Sequence, residues 1–227
     1  MKKIAFAVVW VFASVIASQF VWGLIMSLIL GSHASDTVWV GVYSVLSYGS
    51  AVALTLFVLP KVSKKWSTSR EELGLSGYPT WTDLGLSPVG YILSTLLAAG
   101  AEAFFNIFPW FNATEAQSTG FAPYLSGWER IIAFLVLVVL APIMEEVIFR
   151  GWLYGKLRSR TNMVVAILIT SVLFGAMHLQ WNVGVNVFCL SVVLCGLREV
   201  TGTIYSGILV HVIKNGVAFY LLYVLGM

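Results

Sequence analysis

The segment from Ile131 to Leu153 reads IIAFLVLVVLAPIMEEVIFRGWL and is long and apolar enough to cross the hydrocarbon core of a bilayer. It nevertheless contains two adjacent carboxylates, Glu145 and Glu146, and one cation, Arg150. Placing a single ionised side chain at bilayer depth costs roughly 2.5–3.5 kcal/mol on insertion scales. Two side by side indicate that the protein either neutralises them with partners or uses them.

The whole chain has the composition of an integral membrane protein. Of its 227 residues, 59% are hydrophobic and 10% are charged, whereas soluble domains carry about 25% charged residues. We therefore predict an all-α, polytopic transmembrane helix bundle of about seven spans (six to eight). The predicted spans, in chain order, are Ile4–Leu30, Val38–Leu59, Pro88–Phe108, Ile131–Leu153, Met163–Leu179, Val183–Leu197 and Thr203–Leu225.

Lysine and arginine residues mark one face of the predicted bundle. They precede the first span, follow the second and follow the fourth, whereas the loops at residues 31–37 and 109–128 contain neither. Because positively charged loops stay in the cytoplasm, the N-terminus is predicted to be cytoplasmic, in a multi-pass protein of the cell membrane. The net charge of +3 is spread over short connecting loops, so we expect the lipid bilayer, and no nucleic acid, as a partner.

The two carboxylates differ in their local surroundings. Glu146 and Arg150 lie four residues apart on one helix face, where they are expected to form an internal ion pair. Glu145 lies about 100° round the helix, so its charge must be met by another helix or by water. Pro142 removes a backbone hydrogen bond, and we expect the helix to kink there and to open room for water. The alternative is a purely structural ion pair with Glu145 protonated.

Two later spans add polar side chains at the same helical spacing. Phe174 and His178 are four residues apart in the fifth predicted span, and we expect the phenyl ring to stack under the imidazole. His211 and Asn215 present polar groups to one side of the seventh span. At about 1.5 Å of rise per residue, these groups and Glu145 straddle the middle of the bilayer. The sequence therefore predicts an active-site cavity within the membrane.

Three patterns occur in this order on successive apolar segments: Glu-Glu-x-x-x-Arg, Phe-x-x-x-His and His-x-x-x-Asn. Together they resemble the three motifs of the CPBP family, the CAAX-protease and bacteriocin-processing group of intramembrane endopeptidases, also called Abi proteins. The resemblance begins near Ile131 and extends to the C-terminus. It implies catalytic roles for a set of five residues with two more in structural support, namely Glu145, Glu146, His178, His211 and Asn215, supported by Arg150 and Phe174.

The resemblance implies hydrolysis of peptide bonds within the membrane, with Glu145 activating a water molecule. The residue chemistry agrees, because a carboxylate in a water-poor cavity is a stronger base than one in water. His178 would share the water or give a proton to the leaving amine, and His211 with Asn215 would stabilise the charge that develops on the scissile carbonyl. Glu146 would hold the helix turn that carries Glu145, although the reverse assignment of the two glutamates stays open.

On this interpretation the chain is a single membrane domain in two parts. Residues 1–130 are predicted to form N-terminal transmembrane helices with a cytoplasmic loop at residues 60–87. Residues 131–227 are predicted to form the CPBP-like catalytic core.

A metal ion is the competing source of catalysis. Zinc could be bound by Glu145, His178 and His211, but no HExxH spacing occurs and each of these histidines is alone on its segment. Asparagine is a poor zinc ligand, so the motifs favour a metal-free route without a cofactor. A serine nucleophile is not supported, because the serines of the spans have no obvious histidine partner at local spacing.

The expected substrate is a membrane-embedded or membrane-anchored peptide or protein. The family resemblance suggests a role in bacteriocin or peptide processing, or in self-immunity. The alternative is a non-catalytic membrane scaffold that binds and positions a partner membrane protein or a cell-wall enzyme. The phenotype of Glu145→Ala separates the two, because only hydrolysis needs the carboxylate. A transporter finds no support, since the sequence has no inverted repeat.

Overall fold

The computed structural model describes residues 2–115 and 117–226, so residues 1, 116 and 227 lie outside it. This described part is helical and contains no strand. Six helices are long and apolar enough to cross a membrane, and a shorter apolar helix makes the seventh, which confirms the predicted bundle of about seven spans. The helices are α1 (Lys2–Leu30), α2 (Thr37–Val62), α3 (Trp81–Phe105), α4 (Gly127–Arg158), α5 (Met163–Ala176), α6 (Trp181–Thr201) and α7 (Tyr205–Leu225).

Helix α3 begins at Trp81 rather than at Pro88, so the prediction of a loop is wrong over residues 81–87. The physical reason is a capping box, in which the Thr80 hydroxyl accepts from the Asp83 N–H and the Asp83 carboxylate accepts from the Thr80 N–H at 2.8 Å. Asp83 is 2% exposed and also accepts from the Ser206 hydroxyl at 2.5 Å. This carboxylate therefore ties the start of α3 to the start of α7.

Helix α5 ends at Ala176, three residues before the predicted end of that span, so His178 lies in the turn after the helix rather than within it. The turn is tight, since Leu179 adopts a left-handed conformation with φ of 54°. Helix α6 is longer at both ends than the predicted segment Val183–Leu197. The two helices thus form a hairpin whose tip carries the histidine of the second motif.

The helices of this hairpin touch through their backbones. A Cβ atom at Gly175 would lie 2.7 Å from the carbonyl oxygen of Gly184, closer than side chains tolerate. Glycine at this position therefore lets α5 approach α6 closely beside His178.

The second half of α4 lies at the centre of the bundle. Residues 147–154 are all buried, and Trp152 and Leu153 have no exposed surface. Helices α1, α2, α5 and α6 contribute side chains to the same apolar cluster, among them Ala7, Val11, Ala51, Leu59, Phe174 and Val187. Any polar group on this part of α4 is consequently enclosed unless a cavity reaches it.

Candidate active site

Two π-helical segments flank the turn of α4 that carries the glutamates. Leu135–Leu140 precedes the α-helical turn Ala141–Glu146, and Val147–Tyr154 follows it. π-Helical turns are rare and occur frequently at functional sites, because the wider turn re-aims the side chains around it. The site therefore sits where the backbone of α4 departs from regular α-helix on both sides.

Proline and asparagine explain the first of these segments. The Ala141 N–H donates to the Val136 carbonyl, five residues back. The next donor in this pattern is missing, because Pro142 has no N–H, and the Leu137 carbonyl loses its partner. Asn215 Nδ2 of α7 donates to that carbonyl at 2.8 Å. Pro142 thus interrupts the backbone hydrogen bonds as predicted, and a residue of the third motif replaces the missing bond.

Glu146 and Arg150 form the expected ion pair in an enclosed site. Arg150 Nη1 donates to Glu146 Oε1 at 2.7 Å, and both side chains are 0% exposed. The guanidinium carbon lies 4.3 Å from the centroid of the Phe174 ring, a cation–π contact. Gly207 of α7 packs against the other carboxylate oxygen of Glu146. A Cβ atom at Gly207 would lie 3.0 Å from Glu146 Oε2. We call Glu146, Arg150, Phe174 and Gly207 the closed side of α4.

Glu145 points instead into a cavity, with 15% of its side chain exposed. Its Oε1 accepts a hydrogen bond from the Tyr48 hydroxyl of α2 at 2.8 Å, and its Oε2 lies 3.7 Å from His211 Nε2. Both partners come from other helices, as the sequence required of this carboxylate. The histidine was predicted, whereas the tyrosine was not.

His211 lies between the two glutamates. Its Nδ1 is 3.1 Å from Glu146 Oε1, and its side chain is 3% exposed. Because Glu146 is ion-paired with Arg150, Nδ1 donates to it. The Nε2 lone pair of a neutral ring would then face the Glu145 carboxylate, so the arrangement is attractive only when a proton lies between Nε2 and Glu145. Nε2 of His211 therefore faces Glu145 at the edge of the cavity.

His178 reaches the same cavity from the α5–α6 turn. Its Nδ1 donates to the Phe174 carbonyl at 2.9 Å, because a carbonyl oxygen can only accept. In the neutral ring Nε2 is then an acceptor. The rings of Phe174 and His178 meet edge to face, with centroids 5.2 Å apart and planes at 71°, so the predicted contact is present but the predicted stacking is wrong. The helix ends before His178, which turns the imidazole away from a parallel arrangement.

The cavity has a volume of about 750 Å³ and gathers side chains from both parts of the chain. Four of the predicted site residues line it, namely Glu145, His178, His211 and Asn215. The other three, Glu146, Arg150 and Phe174, lie behind them on the closed side. Polar residues of α1, α2 and the segment between α3 and α4 complete the lining, among them Gln19, Tyr43, Ser47, Tyr48, Thr114 and Thr119.

Sequence reasoning missed two groups of this cavity, Tyr48 and Lys214. No local pattern distinguishes Tyr48 from the other tyrosines, since its role depends on how α2 packs against α4. Lys214 did carry a signal, because a lysine within a membrane-spanning helix is a candidate functional residue by itself.

A metal ion could be bound only by side-chain atoms of the cavity that are not already hydrogen-bonded. Nδ1 is engaged in both His178 and His211, so a metal at the predicted positions would be held through their Nε2 atoms and Glu145. Within residues 2–115 and 117–226, no group of three or more His, Cys, Asp or Glu side chains has the arrangement of a metal site.

Comparison with known proteins bears on the same part of the chain. Residues 127–217 match the family model described as Rce1-like, type II CAAX prenyl endopeptidase. This range contains all three motifs and the four motif residues that line the cavity.

A curated relative is the Bacillus subtilis (strain 168) protein named "Putative membrane peptidase YdiL", which is 27% identical over 141 residues. The aligned region covers 61% of this chain and 54% of the relative, so the chain spans about half the length of that protein. No solved structure matches. Through residues 127–217, the chain therefore resembles the CPBP (CAAX-protease) family of membrane proteases in its family match, its relative and its complete set of motifs.

Proposed function

We propose that the protein is an intramembrane endopeptidase that hydrolyses peptide bonds of a membrane-associated peptide or protein by glutamate-activated water. The observation that carries this proposal is the meeting of Glu145, His178 and His211, from three separate segments, around one cavity. Glu145 lies near the middle of the 32-residue helix α4. At that depth a side chain can bind water only if a cavity reaches it, and Glu145 lines such a cavity.

Each group has a part in the proposed reaction. A water molecule donates one hydrogen to the Glu145 carboxylate and the other to His178 Nε2, which orients its oxygen towards the scissile carbonyl carbon. As the carbon–oxygen bond forms, Glu145 takes the proton, and it returns that proton to the leaving amine when the carbon–nitrogen bond breaks. With a proton on its Nε2, His211 would stabilise the negative charge on the carbonyl oxygen together with the second amide hydrogen of Asn215.

The closed side would keep this machinery in place. The Glu146–Arg150 pair fixes the turn of α4 that carries Glu145, and Glu146 also orients the His211 ring through Nδ1. We therefore assign Glu145 as the base and Glu146 as its support. The competing route is a zinc ion held by Glu145, His178 and His211, which would supply a metal-bound water at neutral pH.

The position of the cavity suggests where substrates come from. Part of its lining, including Thr114 and Thr119, belongs to the segment between α3 and α4, a loop without lysine or arginine over residues 109–128. With a cytoplasmic N-terminus this loop faces the outside of the cell membrane. Substrates that reach this side, such as exported peptides, their leaders or bacteriocins, fit a role in peptide processing or self-immunity.

A scaffold without catalysis is the second candidate. Asn215 supports it, because this motif residue serves the backbone of α4 through the Leu137 carbonyl, a use that needs no substrate. In that case the three motifs would hold the helices together, and the outer surface would bind a partner membrane protein or a cell-wall enzyme.

The decisive experiment incubates the purified protein in lipid nanodiscs with a library of membrane-anchored peptides. Wild type should cleave at least one peptide, Glu145→Gln should not, and Glu71→Gln, on an exposed turn, should cleave as wild type does. Cleavage that survives a strong chelator supports the metal-free route, and its loss supports zinc. Equal cleavage by Glu145→Gln would contradict the proposed function.

A further inference from the structure

Lys214 is a cation inside the cavity whose role the three motifs do not explain. It lies on α7 between His211 and Asn215, and it lines the cavity together with Glu145. Nine residues of α7 precede it and eleven follow it, so it is near the middle of the span. A lysine at this depth costs roughly 2.5–3.5 kcal/mol unless it is matched by an opposite charge, which makes it a candidate functional group.

The carboxylates near Lys214 are engaged elsewhere. The charges of Glu145 and Glu102 both act on the ammonium group, but Glu145 accepts from Tyr48 at 2.8 Å and Glu102 accepts from Asn186 at 2.9 Å. Among residues 2–115 and 117–226, none forms a hydrogen bond or a close ion pair with Lys214 Nζ. Three donors of a cation therefore remain available inside the cavity.

We propose that Lys214 binds a carboxylate group of the substrate and so selects peptides that carry a negative charge near the cleaved bond. This deepens the proposed function, since it assumes that the cavity takes a peptide. A singly charged carboxylate matches one ammonium group. A lipid phosphodiester carries the same single charge, but it lies in the headgroup region, whereas Lys214 is near the middle of its span.

The spacing of Lys214 and His211 along α7 sets the distance between the bound substrate carboxylate and the cleaved peptide bond. Lys214 follows His211 by three residues, on the same helix face and about 4.5 Å further along the axis. An extended peptide covers about 3.3–3.6 Å per residue. The substrate carboxylate should therefore belong to a residue within about two positions of the cleaved bond, as an acidic side chain or as the peptide C-terminus.

Binding can be tested without cleavage, so that the result is independent of catalysis. The probes are three versions of one acetylated apolar hexapeptide with N-methylated, uncleavable bonds: one with a free C-terminus, one amidated, and one amidated with an aspartate at the fourth position. Affinity for the wild-type protein in phosphatidylcholine nanodiscs is measured by competition with a fluorescent version of the first peptide.

We expect at least one carboxylate-bearing peptide to bind about tenfold more tightly than the plain amide, and the preferred one identifies the source of the carboxylate. Lys214→Met should abolish this difference, and Lys214→Arg should retain most of it. Melting temperatures of the variants control for folding. Equal binding of all three peptides, or a preference that persists in Lys214→Met, would overturn the proposal.

Two further outcomes are distinguishable. If Lys214→Met weakens the binding of anionic phosphatidylglycerol in mixed nanodiscs but not that of the acidic peptides, the site is a lipid site and the proposal is wrong. If the peptides show the Lys214-dependent preference while Glu145→Gln and wild type behave alike in the cleavage assay, the binding site stands and the proposed function fails.

Discussion

Glu145 and Glu146 are adjacent and chemically identical, yet they belong to two different regions of the molecule. On the closed side, Glu146 is 0% exposed and is ion-paired with Arg150. On the other side, which we call the open side and define by Glu145, His178, Lys214 and Tyr48, the carboxylate is 15% exposed and faces a cavity of about 750 Å³. Adjacent residues of a helix point about 100° apart. That rotation separates Glu146, in a buried ion pair, from Glu145, which water and substrate can reach.

The difference teaches how a membrane protein can use two carboxylates at one depth. The closed side offsets its own burial cost with an internal partner, so its contribution should be to stability. The open side faces the cavity, where water and substrate can reach it, so its contribution should be to chemistry. Four substitutions test whether the two contributions separate in this way.

The largest effect is expected for Glu145→Gln. We expect hydrolysis to fall by up to about 10⁴-fold, because a general base is removed, while the unfolding free energy stays near that of wild type, since glutamine can still accept from Tyr48. The measurements are kcat/KM with a peptide substrate and reversible unfolding in mixed micelles. A similar loss of stability and activity would show that the open side is structural.

Arg150→Met should break the closed side. Removing the guanidinium leaves the Glu146 charge buried without a partner, so the unfolding free energy should fall by about 3–5 kcal/mol. Arg158→Met is the matched control, because its ion pair with Glu199 is partly exposed and should contribute at most about 1 kcal/mol. Equal destabilisation by the two substitutions would remove the distinction between enclosed and accessible pairs.

Gly207→Ala probes how tightly the closed side is packed. The added methyl group would lie 3.0 Å from Glu146 Oε2, and overpacking of this kind costs about 1–3 kcal/mol. Gly196→Ala is the control, since a Cβ there meets no atom within 4 Å. Unfolding of both variants in the same micelles makes the comparison, and a Gly207→Ala protein as stable as Gly196→Ala would mean that Glu146 has room to move.

Tyr48→Phe should give the smallest effect, and it should appear on the open side alone. The lost hydrogen bond to an ionised group is worth about 1.5–3 kcal/mol, part of which water in the cavity can replace, so we expect kcat to fall about tenfold with little change in stability. Tyr43→Phe is the control, because it also lines the cavity and its hydroxyl bonds the Gln19 carbonyl. If both variants keep wild-type kcat, Tyr48 does not tune Glu145.

Much of the fold could be predicted from composition and spacing. Apolar segments of membrane length indicated about seven helices, because the bilayer requires that length of any helix that crosses it. The start of α3 differs from the prediction although the Thr80–Asp83 capping pattern is legible in the sequence, because apolar content alone does not mark the first turns of the helix. The end of α5 at Ala176 has no such local signal, and the turn that follows contains Leu179 in a left-handed conformation.

Part of the site could be predicted as well. The pairing of Glu146 with Arg150 follows from a spacing of four residues in one helix, and the structure contains it. The catalytic roles of Glu145, His178, His211 and Asn215 stay predictions. Lys214 was legible as a charge in a span, but its lack of a close partner depends on where Glu145 and Glu102 point.

The sequence by itself determined the number and approximate position of the helices, the order of the motifs and the internal ion pair, because these depend on segment length and on residues within one turn of each other. Only the tertiary structure decided that α2 supplies a hydrogen bond to Glu145, that His211 touches both glutamates, and that Asn215 bonds the carbonyl freed by Pro142. Those contacts join residues far apart in the chain, so they depend on how the helices pack rather than on local spacing.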